Sequence, residues 1–338
     1  MKKYNVAILG STGAVGGEMV KVLEERNFPI NELHCLASER SVGKTINFKG
    51  SDIVVELACD DAFKNMDIVL SAVDSPWAKK FADAIVRAGA IMIDNSSAFR
   101  LDENVPLVVP EVNGKDVLDH QGIIANPNCS TIIALTAVNA IHTLSPIDKM
   151  VVSTYQAVSG AGIGGFHELN NQVKELGHQL TPTIETFPYQ IAYNVIPQIG
   201  DFDELGYTSE EMKMQNEGRK ILHAPTLRVN CTCVRVPVMR SHSISITLET
   251  EESLTIPQIR EAISKAEGCQ LKDDPQAKIY PMPLDTSDQD DVFVGRIRKD
   301  ITSDRNGISL WCCGDQVRKG AATNAIQIAE ALIKYQAI

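Results

Sequence analysis

A glycine-rich turn near the start of the chain limits its fold more than any other feature. Gly10-Ser-Thr-Gly-Ala-Val-Gly16 directly follows an apolar run at 6–9 and opens a stretch with helical periodicity. Glycines allow a tight turn and let a dinucleotide pyrophosphate approach the N–H groups at a helix start. The spacing is GxxGxxG rather than GxGxxG, and a turn without a ligand is the alternative. We predict a dinucleotide site formed by Gly10, Thr12, Gly13, Ala14, Val15 and Gly16.

The chain up to about residue 125 alternates short apolar runs with helical patterns. This alternation predicts βαβ units and a mostly parallel, Rossmann-like sheet. The helical faces are Val15, Met19, Val22 and Leu23 in one stretch and residues 78–88 in another. The predicted strands are VAIL (6–9), LHCLA (33–37), IVVEL (53–57), IVLSAV (68–73), IMID (91–94), LVV (107–109) and GIIA (122–125).

The pattern changes after residue 128. A long apolar helix is predicted from Ser130 to Leu144, followed by strands that include VNCTCVRVPV and HSISITLE, which indicate a more antiparallel sheet. A closing helix is predicted at 321–335. A chain of 338 residues favours two domains. We therefore predict an α/β protein: a Rossmann-like domain of residues 1–128 with a C-terminal helix from about 315–338, and an α+β domain of residues 129–314.

Composition limits the partners. The net charge of −11 argues against nucleic acid, because phosphate binding needs a basic surface stripe. Anionic ligands would instead need a few cations concentrated in one cleft. No apolar stretch is long enough to predict a membrane span, and the N-terminus predicts a first strand rather than a signal peptide. The eight cysteines form neither CxxC pairs nor a zinc pattern, so we expect no metal, reduced thiols and a cytoplasmic location.

The residues after the second predicted strand bear on the choice of dinucleotide. An NAD site usually places Asp or Glu at this point to bind the ribose 2′-hydroxyl. Here Ser38, Arg40 and Ser41 could hold a 2′-phosphate, which favours NADP(H). Glu39 keeps NAD as the alternative.

One cysteine has the setting of a nucleophile. Cys129 lies between the apolar strand at 122–125 and the long apolar helix, where Ser130 or Thr131 suits a helix start. The positive end of a helix dipole favours the reactive thiolate. A buried core thiol is the alternative.

Several motifs together carry a family resemblance. NPNCST at 126–131, with GSTGAVGG at 10–17, closely resembles aspartate-β-semialdehyde dehydrogenase. The match runs in order across nearly the whole chain, and EEMKMQNE at 210–217 resembles the bacterial enzymes of the Gram-positive type. The other matching motifs are NSSAFR (95–100), VPEVN (109–113), TYQAVSGAG (154–162), RVPVMRSHS (235–243) and GDQVRKGAA (314–322).

The resemblance implies a reaction. In this family L-aspartyl-4-phosphate is reduced to L-aspartate-4-semialdehyde with NADPH, and phosphate is released, in lysine, methionine, threonine and diaminopimelate biosynthesis. Cys129 would form a thioester that accepts hydride, which divides one difficult step into two easier ones. The second domain would then be catalytic and dimerising, and the protein a cytoplasmic homodimer.

The resemblance also assigns site residues. His242 matches the general acid/base, although its parity with Ile244 and Ile246 would equally suit a core histidine. The planar guanidinium of Arg235 suits the substrate carboxylate. The remaining assignments are Gln156 beside the thiol, Arg100 and Lys213 at the phosphate, Asn128 as their helper, Glu210 at the substrate amino group, Ser159 and Gly160 at the nicotinamide, and Gln316 at the cofactor.

Three alternatives compete with this interpretation. An N-acetyl-γ-glutamyl-phosphate reductase would show NPGC followed by Tyr or Pro-Thr, where this chain has Asn128 and Ser130. A glyceraldehyde-3-phosphate dehydrogenase would show Ser-Cys-Thr-Thr-Asn. A catalytically inactive nucleotide-binding protein would be expected to lose some of the reactive set, and Cys129, Gln156, Arg235 and His242 are all present.

Overall fold

The computed structural model describes residues 2–338, which divide into two compact units. The first contains the chain up to Asn128 together with Ala321–Ile338, and the second is Cys129–Gly320. The C-terminal segment therefore rejoins the first unit after Gly320.

The elements follow in chain order. The strands are β1 (Tyr4–Leu9), β2 (Ile30–Ala37), β3 (Thr45–Phe48), β4 (Ser51–Leu57), β5 (Ile68–Ser71), β6 (Ile91–Asp94), β7 (Ile123–Ala125), β8 (Ile147–Gln156), β9 (Arg228–Arg235), β10 (His242–Thr250), β11 (Cys269–Leu271), β12 (Val292–Lys299) and β13 (Asn306–Gly314). The α-helices are α1 (Ala14–Glu25), α2 (Ser75–Arg87), α3 (Pro110–Asn113), α4 (Cys129–Leu144), α5 (Gly162–Gly177), α6 (Ser209–Ile221), α7 (Ile256–Lys265), α8 (Pro283–Thr286) and α9 (Thr323–Lys334).

The sheet of the first unit has the order β3-β4-β2-β1-β5-β6-β7 and is parallel except where β3 meets β4. Alternate residues of β1 point to opposite faces. Val6 and Ile8 belong to the core that includes α1 and α9, whereas Ala7 and Leu9 belong to the core that includes α2. Both faces are covered, as expected for a parallel sheet. This confirms the predicted Rossmann-like fold class.

The predicted strand at 107–109 is wrong. Leu107 forms only an isolated bridge with Ala125, and the N–H of Val109 donates to the side chain of Asn113 rather than to a strand. The reason is the pair of prolines at 106 and 110. Proline cannot donate to a ladder, and Pro110 begins α3.

The sheet of the second unit has the order β11-β12-β13-β10-β8-β9. It is antiparallel from β12 through β13 and β10 to β8, and parallel at its two outer pairs. Helix α4 packs on β8, β10, β12 and β13. Ile133 of α4 faces Gly314 so closely that a Cβ there would lie 3.0 Å from its Cγ1. The mostly antiparallel second sheet is therefore also confirmed.

No helix in residues 2–338 combines the length and apolar character that a membrane crossing requires.

Candidate active site

The glycine-rich turn is shaped by two close backbone approaches. Gly10 has a φ of +88°, and a Cβ there would lie 2.6 Å from the Ala72 carbonyl oxygen. A Cβ on Gly16 would overlap the Gly10 carbonyl oxygen. Glycine is therefore required at both positions, once for the left-handed conformation and once for the contact between turn and helix. Gly13 is the N-cap of α1, so the turn leads directly into a helix N-terminus.

A cavity of about 740 Å³ opens beside this turn. Five predicted cofactor residues line it, namely Gly10, Thr12, Gly13, Ser38 and Arg40. Ser41 lies behind them and accepts a hydrogen bond from the Thr12 hydroxyl at 3.3 Å. Ala14, Val15 and Gly16 belong to the turn and to the first turn of α1, and they do not line the cavity. The cavity can accommodate a nucleotide next to unpaired helix N–H groups.

Helix α4 begins at Cys129 itself. The Sγ atom lies 3.5 Å from Nε2 of His242, and a Cβ on Gly320 would lie only 2.9 Å from the Cβ of Cys129. Other cysteines have inert surroundings: burial raises the pKa of both Cys35 and Cys313 to about 11. Cys129 is therefore the cysteine that is paired with a histidine at a helix start.

The backbone fixes the tautomer of His242. The N–H of Ala157 donates to Nδ1 at 3.1 Å, so the proton of the neutral imidazole lies on Nε2 and faces the sulfur. Burial, together with repulsion from Arg235, lowers the pKa of His242 to about 3, and Glu210 opposes this shift. The ring is therefore neutral near pH 7 and presents a hydrogen-bond donor to Cys129.

Arg235 lies at the end of β9 and is 6% exposed. Its Nη1 donates to the Ala157 carbonyl at 2.6 Å, and its Cζ lies 5.8 Å from the centre of the Phe187 ring. A Cβ on Gly160 would lie 2.7 Å from that Nη1 and 3.2 Å from Cε1 of His242. Gly160 therefore leaves space beside both side chains. Ala157 binds both of them through its main chain: its N–H donates to His242, and its carbonyl accepts from Arg235.

Gln156, Glu210 and Lys213 form a continuous polar chain. The amide of Gln156 donates to Glu210 Oε1 at 3.2 Å, and Lys213 donates to Glu210 Oε2 at 2.9 Å. The Thr154 hydroxyl donates to Oε1 of Gln156 at 2.9 Å and so orients the side-chain amide. Glu210 and Lys213 lie in the first turns of α6, which begins with a capping box on Thr208. Only the family resemblance pointed to Glu210 and Lys213, because by composition α6 reads as a solvated helix.

Gln316 lies in the second unit and uses both ends of its amide there. Its nitrogen donates to the hydroxyl of Ser159, and its oxygen accepts from the N–H of Ser241 at 2.9 Å. These bonds connect the loop after β8 to the residue before His242. The cofactor contacts of Ser159, Gly160 and Gln316 remain predictions.

Arg100 and Asn128 are buried residues of the first unit. Arg100 donates to the carbonyl oxygens of Asn126 at 3.0 Å and Asn95 at 2.8 Å. It therefore braces the segment that precedes Cys129 in the chain. Its phosphate role, and that of Asn128, remain predictions.

No group of three or more His, Cys, Asp or Glu side chains in the described part of the chain could hold a metal ion.

Two family models match the chain. The NAD binding domain of semialdehyde dehydrogenase matches residues 5–120, and the dimerisation domain of semialdehyde dehydrogenase matches residues 138–319. The aspartate-semialdehyde dehydrogenase of Aquifex aeolicus is 50% identical over 336 residues, covering 98% of each chain. That of Bacillus subtilis is 47% identical over 343 residues, covering 99% of each.

A solved structure shows the same likeness. It is aspartate semialdehyde dehydrogenase II from Vibrio cholerae, complexed with ASA. It is 43% identical, covers 99% of each chain and superposes with a TM-score of 0.96. An N-acetyl-γ-glutamyl-phosphate reductase is not favoured by these comparisons.

Proposed function

Because the chain belongs to the aspartate-semialdehyde dehydrogenase family, we propose that it reduces L-aspartyl-4-phosphate to L-aspartate-4-semialdehyde with NADPH and releases phosphate. The observation that carries the proposal is the pairing of Cys129 at a helix start with the Nε2–H of His242. A thiol, a directed donor and a neighbouring guanidinium suit acyl transfer from an acyl phosphate.

The first step is attack by the Cys129 thiolate. A sulfur–carbon bond forms at the acyl carbon, the bond from that carbon to the phosphate oxygen breaks, and phosphate leaves. Two features stabilise the thiolate: the start of α4 and the hydrogen bond from His242. The product of this step is a thioester on Cys129.

A nicotinamide cofactor, when bound, would supply hydride to the thioester carbon. The carbonyl oxygen becomes negative, and the Nε2–H of His242 can donate to it as it donated to the sulfur. Collapse of this adduct breaks the carbon–sulfur bond, which releases the aldehyde and returns Cys129 as a thiolate. The general acid/base role of His242 stays a prediction. The tautomer described above makes Nε2–H a hydrogen-bond donor to the reacting groups.

The remaining polar groups suit the rest of the substrate. Arg235 has further N–H donors besides the one on Ala157, and we assign it to the α-carboxylate. We assign Glu210 to the amino group and Gln156 to the reacting acyl group. The phosphate falls to Lys213 and Arg100, with Asn128 as their helper.

The cavity of the first unit fits a nicotinamide dinucleotide. Its glycine turn and helix start suit a pyrophosphate, and Ser38, Arg40 and Ser41 suit the 2′-phosphate that distinguishes NADP from NAD. Glu39 also lines the cavity and would favour NAD. We assign Ser159, Gly160 and Gln316 to the nicotinamide end.

We further propose a homodimer in the cytoplasm. The match of residues 138–319 to a dimerisation domain supports the dimer. Within residues 2–338 every cysteine is a thiol rather than a disulfide, which suits a reducing compartment.

One assay tests the reaction. The reverse direction is followed as NADP reduction at the nicotinamide absorbance, with aspartate semialdehyde and phosphate as substrates. N-acetylglutamate semialdehyde is the control. We expect phosphate-dependent turnover of the first aldehyde only. Turnover of the acetylated aldehyde instead would replace this proposal with the reductase, and turnover of neither would favour an inactive nucleotide-binding protein.

A further inference from the structure

The cofactor cavity has an aromatic and cationic wall that the glycine turn does not supply. Trp77, Lys80 and Phe81 of α2 line it, and they lie outside the segments from which the site was predicted. Trp77 is 49% exposed although it is one of the largest apolar side chains in the protein. An indole exposed inside a cavity suits a flat apolar ligand group.

Lys80 is held against this wall. Its Nζ lies 4.5 Å from the centre of the Trp77 ring and 5.0 Å from that of Phe81. Its neighbour Lys79 is also exposed but does not line the cavity. The two lysines therefore carry the same charge and lie on the same helix, but only Lys80 lines the cavity.

The cavity is lined by two cations and two carboxylates. Arg40 and Lys80 both line it, and neither forms an ion pair with any carboxylate of residues 2–338. The carboxylates among the lining residues are Glu39 and Asp74. Because Arg40 and Lys80 lack an ion-pair partner, both can bind an anionic ligand in the cavity.

We propose that Trp77 packs against the adenine of the cofactor and that Lys80 joins Arg40 in binding the 2′-phosphate. This inference rests on the proposed use of NADP. A dianionic phosphate offers Lys80 charge-assisted hydrogen bonds, which are stronger than an exposed cation–π contact. Selectivity for NADP then depends on two cations from separate elements, and Arg40 alone is not sufficient for it.

The chain provides its own reporter. It contains only two tryptophans, Trp77 and Trp311, so a Trp311→Phe variant reports the fluorescence of Trp77 alone. The probes are 2′,5′-ADP, which carries the 2′-phosphate, and 5′-AMP, which lacks it. We expect 2′,5′-ADP to change the Trp77 emission in a saturable way. Trp77→Phe in the unaltered chain should remove that change.

The lysine pair tests the cation. Lys80→Ala should raise the Kd for 2′,5′-ADP about three- to fivefold and leave that for 5′-AMP nearly unchanged, because an exposed, partly screened cation is lost only with the phosphorylated probe. Lys79→Ala is the matched control and should leave both unchanged. Isothermal titration calorimetry of the single lysine variants gives the same Kd values without the Trp311→Phe substitution.

Three results would overturn the inference: equal weakening of both probes by Lys80→Ala, no weakening of either, or calorimetric binding of 2′,5′-ADP without a Trp77 signal. The proposed function fails separately. If the unaltered protein oxidises aspartate semialdehyde with NADP while Lys80→Ala binds 2′,5′-ADP normally, only the role of Lys80 is lost.

Discussion

Arg40 and Arg235 carry the same guanidinium in opposite surroundings. Arg40 is exposed at a cavity whose outline is set by backbone, above all by Gly10 and Gly16. Arg235 is buried and bonded to the Ala157 carbonyl beside His242. In the first region the charge can be removed without leaving a buried partner unsatisfied. In the second, each polar side chain completes the bonding of another, so its loss also costs the desolvation of what remains.

This difference predicts that equal substitutions have unequal effects. Substitutions of the buried side chains around Arg235 and His242 should strongly reduce turnover or substrate binding. Substitutions at the cofactor cavity should have modest effects, limited to the binding of one group of the ligand. The following substitutions test that ranking.

Cys129→Ala should lower turnover by several orders of magnitude, because no other group can form the thioester. Binding of NADP should remain nearly intact, since the residues lining the cavity do not include Cys129. Cys59→Ala, at an exposed cysteine, is the control and should retain full activity. A thiol label that reacted once per chain at Cys35 or Cys269 and abolished activity would contradict the assignment.

His242 should make stability depend on pH. Its folded pKa is about 3 against 6.5 in the unfolded chain, so below pH 6.5 the unfolded state binds a proton that the folded state does not. The stabilisation present above pH 6.5 is therefore lost as pH falls, by about 2 kcal/mol at pH 5, or roughly thirtyfold in the unfolding equilibrium.

The measurement is urea unfolding between pH 7.5 and pH 5, compared with His242→Asn, which does not titrate. Burial also lowers the pKa of His142, with the same sign, so the difference between the two proteins isolates His242. Parallel pH curves would show that His242 titrates like a solvated histidine.

Arg235→Lys should raise the Michaelis constant for aspartate semialdehyde about tenfold and that for phosphate little, because the charge stays but the fork is lost. Lys213→Ala should do the reverse. Arg100→Ala should also weaken phosphate binding, but it is the less selective test, since Arg100 braces the Asn126 carbonyl. Steady-state titrations of each substrate measure these Michaelis constants. If each variant weakened the binding of both substrates equally, the assignment of separate carboxylate and phosphate sites would be wrong.

Glu168→Gln should raise the Michaelis constant for the semialdehyde severalfold with a smaller change for phosphate. The buried Glu168 carboxylate accepts the N–H groups of Glu185, Thr186 and Phe187, and Phe187 contacts Arg235. The neutral amide is a weaker acceptor for these bonds. We therefore expect Arg235 to be less well positioned.

The matched control is Glu175→Gln. Glu175 lies on the same helix and binds Thr183 of the same segment, but it is only half-buried. It should leave both Michaelis constants unchanged. If the two glutamate variants behaved alike, Glu168 would have no particular link to the carboxylate site.

The smallest effect should come from Arg40→Ala. We expect a few-fold rise in the Michaelis constant for NADPH and little change for NADH, because an exposed cation is screened and shares the 2′-phosphate with Lys80. Parallel titrations with the two cofactors measure it. A preference of the unaltered enzyme for NADH would assign Glu39 to the ribose instead.

The sequence was most informative where local pattern decides structure. Periodicity located β1, β2, β5 and β6, and a helix-start residue after a strand placed the start of α4 at Ser130, one residue from its observed start at Cys129. It missed β3, a four-residue edge strand whose buried residue is Phe48 alone. It also placed a strand at 107–109, where proline overrides apolar composition.

The site residues that sequence reasoning missed depend on tertiary packing. Trp77 and Lys80 carry no motif, and only the position of α2 beside the cavity gives them a role. Glu168 reads as a solvated helix carboxylate until the segment at 183–192 folds against it. The family resemblance supplied Glu210 and Lys213, which no periodicity would have selected.

The double use of Ala157 has a consequence for how this site can vary over time. Its N–H orients His242 and its carbonyl holds Arg235, so the alignment of two reactive side chains is written into the main chain. Every residue type except proline carries both groups. Substitutions by other small residues can therefore accumulate at position 157 without disturbing the alignment. The identity of residue 157 is consequently a poor guide to its importance. Proline is the replacement that the site would not tolerate, because it lacks the N–H that orients His242.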